Sequence, residues 1–220
     1  MISRTLLTGL LAGLMAGVVL TIMYLVKTQP LILQAELYEH GAALAGQQAA
    51  PLSRILETLM FNVLTGAAFG LILSAVLTLR GRPVGLRQGV IWGAAGFVVF
   101  ALAPGFGLPP ELPGSVAAQL EARQLWWLLT AAATAVGMGL LAFAGTWPAR
   151  LAGAALIVLP HIVGAPHPHS PGGAVPPGLA AQFVAVSLGA NALFWVVLGA
   201  SSGYLHDRFA LHRHSAAGAA

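Results

Sequence analysis

The sequence predicts an all-α, multi-pass membrane protein with about six transmembrane helices. Of its 220 residues, 58% are hydrophobic and only 7% are charged, whereas a water-soluble domain of this length carries far more charge. A stretch of about 20 mostly apolar residues can cross the roughly 30 Å hydrocarbon core of a bilayer. Such stretches lie at 5–26, 56–79, 88–106, 125–146 and 180–204.

A sixth apolar stretch, 149–165, is shorter and contains Pro160 and His161. It can be a sixth span or a re-entrant segment, and in the second case the chain has five spans. The first stretch is predicted to be a retained helix, because it is longer than the roughly 7 to 15 apolar residues of a signal peptide. Residues 1–205 then form a single helical membrane domain. Residues 206–220 form a short cytoplasmic tail that contains histidines and is expected to be disordered.

The distribution of charged residues favours six spans with both termini in the cytoplasm. Short loops rich in lysine and arginine stay on the cytoplasmic side of a membrane. With six spans, the N-terminal side receives Arg4, Arg80, Arg82, Arg87, Arg150, Arg208 and Arg213. The other side receives Lys27, Arg54 and Arg123, together with Glu36, Glu39, Glu57, Glu111 and Glu121. A five-span chain would place the last two arginines outside and weaken this segregation.

The composition also excludes several classes of function. The chain has no cysteine, so disulfides and thiolate metal sites are absent. The excess of Lys and Arg over Asp and Glu indicates orientation in the membrane. It gives no support for nucleic-acid binding, since no basic surface or soluble domain accompanies it. Gly199-Ala200-Ser201-Ser202-Gly203 fits the G-x-S-x-G pattern of serine hydrolases but lies in an apolar helical stretch, so we interpret it as helix packing. The sequence therefore predicts a protein that is not an enzyme.

Glycines recur every fourth residue in two of the predicted spans. Gly9, Gly13 and Gly17 form one series, and Gly85, Gly89 and Gly93 form another. Shorter pairs with the same spacing are Gly66 with Gly70 and Gly199 with Gly203. Small residues at this spacing let helix backbones approach closely in lipid. The pattern predicts close helix pairs.

Metal-compatible side chains are concentrated in three loops, 27–54, 107–124 and 164–179, that fall on the predicted outer face. The candidate metal ligands are Glu36, Glu39, His40, Glu111, His161, His167 and His169. The first three stand at i, i+3 and i+4, so a helical turn would place them on one face. Imidazole and carboxylate suit divalent first-row metals such as Co²⁺, Ni²⁺, Zn²⁺ or Cu²⁺. Their location on one face predicts a site of ion intake.

Each of these ligands also has an interpretation without metal. His161 can be satisfied by a neighbouring carbonyl, and the two histidines of the third loop can simply be exposed. The Glu36 to His40 group can be a solvated helix face, and Glu111 can be a carboxylate that only keeps its loop hydrated at the membrane surface. At membrane depth, Asn62 and Asn191 can line an ion pathway or form hydrogen bonds between helices. The tail residues His206, Asp207, His212 and His214 can hand over an ion or be a polar end.

Four motifs in this order resemble a known family: Pro110-Glu111-Leu112-Pro113-Gly114, Arg123-Gln124-Leu125-Trp126-Trp127, Leu159-Pro160-His161-Ile162-Val163-Gly164-Ala165-Pro166 and Asn191-Ala192-Leu193-Phe194-Trp195. The chain resembles the CbtA family of predicted cobalt transporter subunits of bacteria, from its first helix to about residue 205. The resemblance implies about five spans and a place in the bacterial inner membrane. It also implies cobalt uptake for cobalamin synthesis beside a small single-span partner, CbtB. His161 and Glu111 fall within the family motifs.

The expected function is that of a membrane subunit of a Co²⁺ uptake transporter, with the ion captured at the outer face by histidine and glutamate side chains. No permanently bound cofactor is expected, because Co²⁺ is the cargo. A non-transporting scaffold of a metal-uptake complex is the alternative from another class. Within transport, nickel or another divalent ion is an alternative cargo, since ligand type does not separate neighbours in the first-row series. The oligomeric state is left open.

Overall fold

The computed structural model describes residues 2–40, 51–168 and 173–217 of the chain. Within these ranges the regular structure is helical. The helices are α1 (Ile2–Met23), α2 (Gln29–His40), α3 (Pro51–Leu79), α4 (Leu86–Phe97), α5 (Ala103–Gly107), α6 (Leu120–Phe143), α7 (Trp147–Val163) and α8 (Pro177–Ala217). The predicted all-α class is confirmed. Helix α8 includes most of the residues that the sequence assigned to the tail.

Among the described residues, five helical segments are long and apolar enough to cross a membrane. They are Ile2–Tyr38, Leu52–Leu79, Leu86–Gly107, Leu120–Phe143 and Pro177–Phe209. These segments contain most of each of the five long apolar stretches predicted from the sequence. Helix α7, which covers the sixth stretch, has 17 residues. At 1.5 Å per residue it is about 26 Å long, somewhat less than the roughly 30 Å of hydrocarbon.

The structure corrects the predicted loop 27–54. Helical structure continues from α1 through a π-helical turn, Tyr24–Thr28, into α2. Helix α2 persists because Leu31 and Ala35 bury their side chains in an apolar cluster with Leu112. Periodic burial of this kind stabilises a helix that composition alone assigns to a loop.

Both π-helical turns of the described chain end two residues before a proline. The first precedes Pro30, and the second, Val98–Leu102, precedes Pro104. A proline has no amide hydrogen to donate to the carbonyl four residues before it, so regular α-helical bonding is interrupted there. In the second turn the Ala103 N–H donates to the Val98 carbonyl, a spacing of five residues. The chain thus stays helical at both prolines by widening one turn.

Contacts between Cα atoms group the described residues into two compact units. Unit 1 comprises the described residues within 1–27, 47–94 and 189–220, and unit 2 those within 28–46 and 95–188. Unit 1 contains two glycine-mediated helix pairs, α1 with α3 and α4 with α8. Unit 2 contains the pair α6 with α7 and the apolar cluster around Leu112.

In unit 1 the predicted glycine packing is confirmed, and the pairing is antiparallel. Gly9 faces Gly70, Gly13 faces Gly66, and Gly17 faces Asn62. A Cβ atom at Gly17 would lie 2.6 Å from the Asn62 carbonyl oxygen, and one at Gly9 would lie 2.9 Å from the Gly70 carbonyl oxygen. Because any side chain would collide with the opposite backbone, glycine is required along this line of contact, which we call the α1/α3 seam.

The G-x-S-x-G sequence also packs helices, as predicted. Gly199 and Gly203 lie in α8 against Gly89 and Gly93 of α4, and a Cβ atom at Gly89 would lie 2.8 Å from the Gly203 Cα. Ser201, the serine of the motif, is buried, as is the adjacent Ser202. A serine in the middle of a close helix pair is not presented at a strand-to-helix turn, which a hydrolase of this motif requires.

Candidate functional site

His161 stands at the end of α7, where the helix opens into an irregular segment. Gly164 ends the helix with a φ of 85°, a conformation that suits glycine, and its N–H donates to the Pro160 carbonyl. The imidazole ring meets two aromatic rings edge to face: Trp126 at 5.9 Å and Phe106 at 6.2 Å between ring centroids. These rings hold the imidazole between α5, α6 and α7.

A glycine makes room for one of these rings. A Cβ atom at Gly107 would lie 2.7 Å from Trp126 Cζ2 and 2.9 Å from the Ala165 Cβ. Gly107 therefore lets the indole pass beneath the end of α5. The Trp126 side chain is buried, with 8% exposed. It reaches the imidazole of His161 because residue 107 has no side chain in the way.

An open pocket of about 680 Å³ surrounds His161 within unit 2. Its lining includes His161, His167, Trp126, Phe106 and Ile157. The histidines are the two titratable residues of the lining, and the rest is aliphatic or aromatic apart from glycine. An apolar cavity with a few convergent polar groups is the usual form of a small-ligand site. The structure thus brings together two of the seven predicted ligands.

Glu111 is held elsewhere by an ion pair. Its Oε2 accepts a hydrogen bond of 2.7 Å from Nη2 of Arg123, and both side chains are partly exposed. The neighbouring Leu112 is buried against α2, which anchors the proline-containing segment. Glu111 does not line the pocket. The pair orders the segment between α5 and α6, and at this exposure it contributes about 0–1 kcal/mol to stability.

The remaining predicted ligands lie on α2 and in the third loop. Glu36 is half-buried and follows Ala35, which packs near Leu112. The backbone of Glu39 and His40 is helical, as required for the predicted shared face, and their side chains lie outside the described part of the chain. His169 also lies outside it. Within the described ranges, no three His, Asp or Glu side chains group closely enough to hold a metal ion.

The two asparagines proposed for a pathway are in unit 1. Asn62 is buried, and its Nδ2 donates a hydrogen bond of 3.2 Å to Thr21 Oγ1. Thr21 donates in turn to the Gly17 carbonyl at 2.8 Å. The geometry at Asn62 is therefore that of a hydrogen bond between helices at the α1/α3 seam. Asn191 is half-buried in α8.

In the predicted tail, His206 belongs to a hydroxyl network in unit 1. Its Nδ1 lies 2.9 Å from the Ser202 carbonyl oxygen, and its Nε2 lies 3.4 Å from Thr78 Oγ1. Thr78 Oγ1 is in turn 3.1 Å from Thr5 Oγ1. Both ring nitrogens thus have polar neighbours, one in α8 and one in α3, and Thr78 links the ring to Thr5 of α1. The side chains of His212 and His214 are outside the part of the chain that the structure describes.

Sequence reasoning missed the aromatic wall of the pocket. Trp126 and Phe106 belong to apolar stretches, and an aromatic residue there is equally suited to face lipid. The π-helical turn Val98–Leu102 was missed too, although Val98 and Leu102 line the pocket. Its one signal in the sequence is Pro104 in an otherwise apolar helix. A proline marks an interruption of helical hydrogen bonding but does not show which side chains of the turn will line a pocket.

Comparison with known proteins gives one finding. No curated protein sequence and no solved structure matches the chain. A family model does match, over residues 2–207, and its description is "Probable cobalt transporter subunit". This match includes all five membrane-length helices almost completely, as well as the pocket around His161. The chain therefore belongs to the CbtA family of probable cobalt transporter subunits, and its apolar helices suit a multi-pass membrane protein.

Proposed function

We propose that the chain is the membrane subunit of a transporter that takes up Co²⁺ across the bacterial inner membrane for cobalamin synthesis. The observation that carries the proposal is the pairing of His161 and His167 in one open pocket. The family description supports cobalt as the cargo. The charge distribution along the sequence supports a cytoplasmic N-terminus, which would place the pocket at the outer face.

Capture proceeds by exchange of water for nitrogen ligands. Hydrated Co²⁺ enters the pocket and replaces waters with the imidazoles of His161 and His167, which suit this class of ion. The aliphatic and aromatic lining lowers the polarity around the ion, so the attraction between ligand and ion is screened less than at a fully hydrated surface. Glu36, Glu39, His40, Glu111 and His169 belong to the proposed intake face as further ligands or as negative charge that attracts the cation.

Movement inward is then favoured by the membrane potential. A charge of two crossing 100 mV changes free energy by about 4.6 kcal/mol, twice the value for a unit charge. A small single-span partner of the CbtB type completes the transporter in this proposal. The family description as a subunit supports a partner of some kind.

The direct test is uptake of radiolabelled Co²⁺ by cells that lack other cobalt importers. The chain is expressed with and without the small partner, and excess unlabelled Co²⁺, Ni²⁺ or Zn²⁺ is added as a competitor. Saturable uptake that Co²⁺ competes for best supports the proposal, whereas stronger competition by Ni²⁺ would assign the site to nickel. No uptake in either arrangement, at confirmed membrane expression, would contradict it.

The rival is a scaffold that assembles a metal-uptake complex without carrying the ion. The specific observation in its favour is that the described side chains form no three-ligand group. A scaffold would bind its partner equally well after the pocket histidines are replaced, and uptake by the complex would persist. Uptake lost from a His161→Ala complex that still assembles, as judged by co-purification, would exclude this function.

We expect uptake to fall as the external pH drops below about 6. A neutral imidazole binds metal and an imidazolium does not, so acid removes the capture ligands. The measurement is the initial rate of Co²⁺ uptake between pH 5 and 8 at constant membrane potential. In the matched variant His161→Gln, the rate should be lower throughout this range. A wild-type rate that is constant across this range would count against capture by histidine.

A further inference from the structure

Three polar atoms on one face of α6 are buried without hydrogen-bond partners. They are Trp126 Nε1, Thr130 Oγ1 and Thr134 Oγ1, which find no acceptor or donor among the described residues. The two threonines are fully buried, and Trp126 is 8% exposed. An unpaired polar group at membrane depth is costly, and native proteins pair such groups with protein, water or ions. Three in succession on one helix call for a shared explanation.

The threonines are unusual because they do not bond to their own helix. A threonine in a helix commonly donates to the carbonyl four residues earlier. Thr21, Thr58 and Thr78 do so, at 2.7 to 2.8 Å. Thr130 Oγ1 and Thr134 Oγ1 make no such bond. Their hydroxyls are therefore left free to bind something else.

The position of these residues connects them to the pocket. Trp126 lines the pocket, and Gly137, three residues beyond Thr134, packs against Ile157 of α7, another lining residue. At 100° per residue, positions 126, 130, 134 and 137 fall within about 80° of the α6 circumference. Thr130 and Thr134 thus lie on the helix face between Trp126, which lines the pocket, and Gly137, which contacts a lining residue of α7. The threonines themselves lie beyond the pocket lining. Ile157 and His161 stand one turn apart on the facing helix.

We propose that Trp126, Thr130 and Thr134 form a hydrated track along α6 that leads the divalent cation from the pocket into the membrane. The inference rests on the proposed function, and it moves the pathway from the predicted asparagines to α6. Eight residues of helix carry the track about 12 Å, more than a third of the hydrocarbon thickness. The hydroxyl oxygens replace waters of the ion in turn, and the indole N–H donates to water retained beside it.

The track lowers the cost of moving charge through the bilayer without holding the ion tightly. Neutral hydroxyls are weak ligands beside imidazole, so the ion binds in the pocket and leaves along the track. A site that binds strongly at every step would slow release, and conduction requires binding that is weak enough to leave. The π-helical turn Val98–Leu102 contributes Val98 and Leu102 to the pocket, and widened turns of this kind recur at functional sites.

Thiol accessibility tests the track independently of uptake. The chain has no native cysteine, so Thr130→Cys and Thr134→Cys each introduce a single thiol. Ag⁺ is added to the full-length chain in liposomes, and unreacted thiol is then labelled with a maleimide after denaturation. The matched control is Val136→Cys, at a similar depth on α6 but 55% exposed on the outer surface of the helix.

We expect both threonine positions to react at least about tenfold faster than the control, since thiolate forms only where water is present. Excess Co²⁺ should slow the reaction. Reaction no faster than the Val136→Cys control would overturn the track, and so would reaction that Co²⁺ leaves unchanged. Because this assay requires no transport, its result does not depend on whether the cells accumulate cobalt.

A second measurement uses variants that preserve shape. Thr130→Val and Thr134→Val remove a hydroxyl and keep a β-branched side chain of similar size. We expect the maximal rate of Co²⁺ uptake to fall about tenfold, the loss of one favourable polar contact in the barrier, with the half-saturating concentration unchanged. Thr58→Val, which removes a hydroxyl already bonded to a backbone carbonyl, is the control and should transport normally. Equal rates in all three variants would also overturn the track.

Discussion

Replacing Gly13 with leucine is expected to abolish the folded chain or lower its melting temperature by about 10 °C or more. A Cβ atom at Gly13 would lie 2.5 Å from the Gly66 carbonyl carbon and 2.6 Å from the Ala67 Cα. Both obstacles are backbone, so no side-chain rotation relieves them. Overpacking ordinarily costs about 1–3 kcal/mol, and a rigid backbone on both sides raises this cost. Each kcal/mol corresponds to roughly 2–4 °C for a chain of this size.

The measurement is thermal unfolding of detergent-purified protein, with size-exclusion chromatography to detect aggregation. Gly139→Leu is the matched control, because Gly139 lies in α6 and no atom of a neighbouring helix lies within 4 Å of its Cβ position. The control should elute and melt as the wild type does. A Gly13→Leu chain that melts within about 2 °C of the wild type would show that the α1/α3 seam can accommodate an inserted side chain, which contradicts the prediction.

Replacing His161 with alanine is expected to raise the half-saturating Co²⁺ concentration at least about tenfold. Loss of a group that merely supports a ligand costs about 10–100-fold in metal affinity, and loss of a ligand should cost no less. The ring lies 5.9 Å from Trp126 and 6.2 Å from Phe106, centroid to centroid, so its removal also opens space between two aromatic walls. His167→Ala should act in the same direction.

The experiment separates capture from passage by its kinetics. His161→Ala should change the half-saturating concentration first, whereas the threonine variants of α6 should change the maximal rate. His206→Gln is a control, since His206 lies outside the pocket and glutamine retains a donor and an acceptor for the Ser202 carbonyl and Thr78. A His161→Ala chain with wild-type half-saturation and membrane expression would remove this histidine from the intake site.

The sequence predicted the elements that depend on local composition. Five membrane-length helices follow from apolar stretches, because each must satisfy its backbone hydrogen bonds within itself in lipid. The glycine spacing predicted close helix packing, since it concerns one face of one helix at a time. It could not identify the partners. That Gly13 meets Gly66 in antiparallel packing depends on the fold of the chain around both.

The candidate site was predicted only in part, for a related reason. His161 and His167 were named from their residue type, and the structure places both in one pocket. Glu111 was named on the same grounds, yet it forms an ion pair with Arg123. The spacing of residues in the sequence does not reveal whether a carboxylate will bind a metal or a nearby arginine. The extension of helical structure to His40 was missed, because the apolar partners of α2 lie more than 70 residues away in the chain.

The amino-acid sequence by itself determined that this chain is helical, that its helices are long enough to cross a membrane, and that its metal-compatible side chains lie in a few short segments. Tertiary structure alone decided which of those side chains share a pocket and which polar atoms are left without partners. Hydrophobicity and helix propensity act over a few neighbouring residues. A hydrogen bond or a pocket wall depends on residues that only packing brings together, as Trp126 and His161 show.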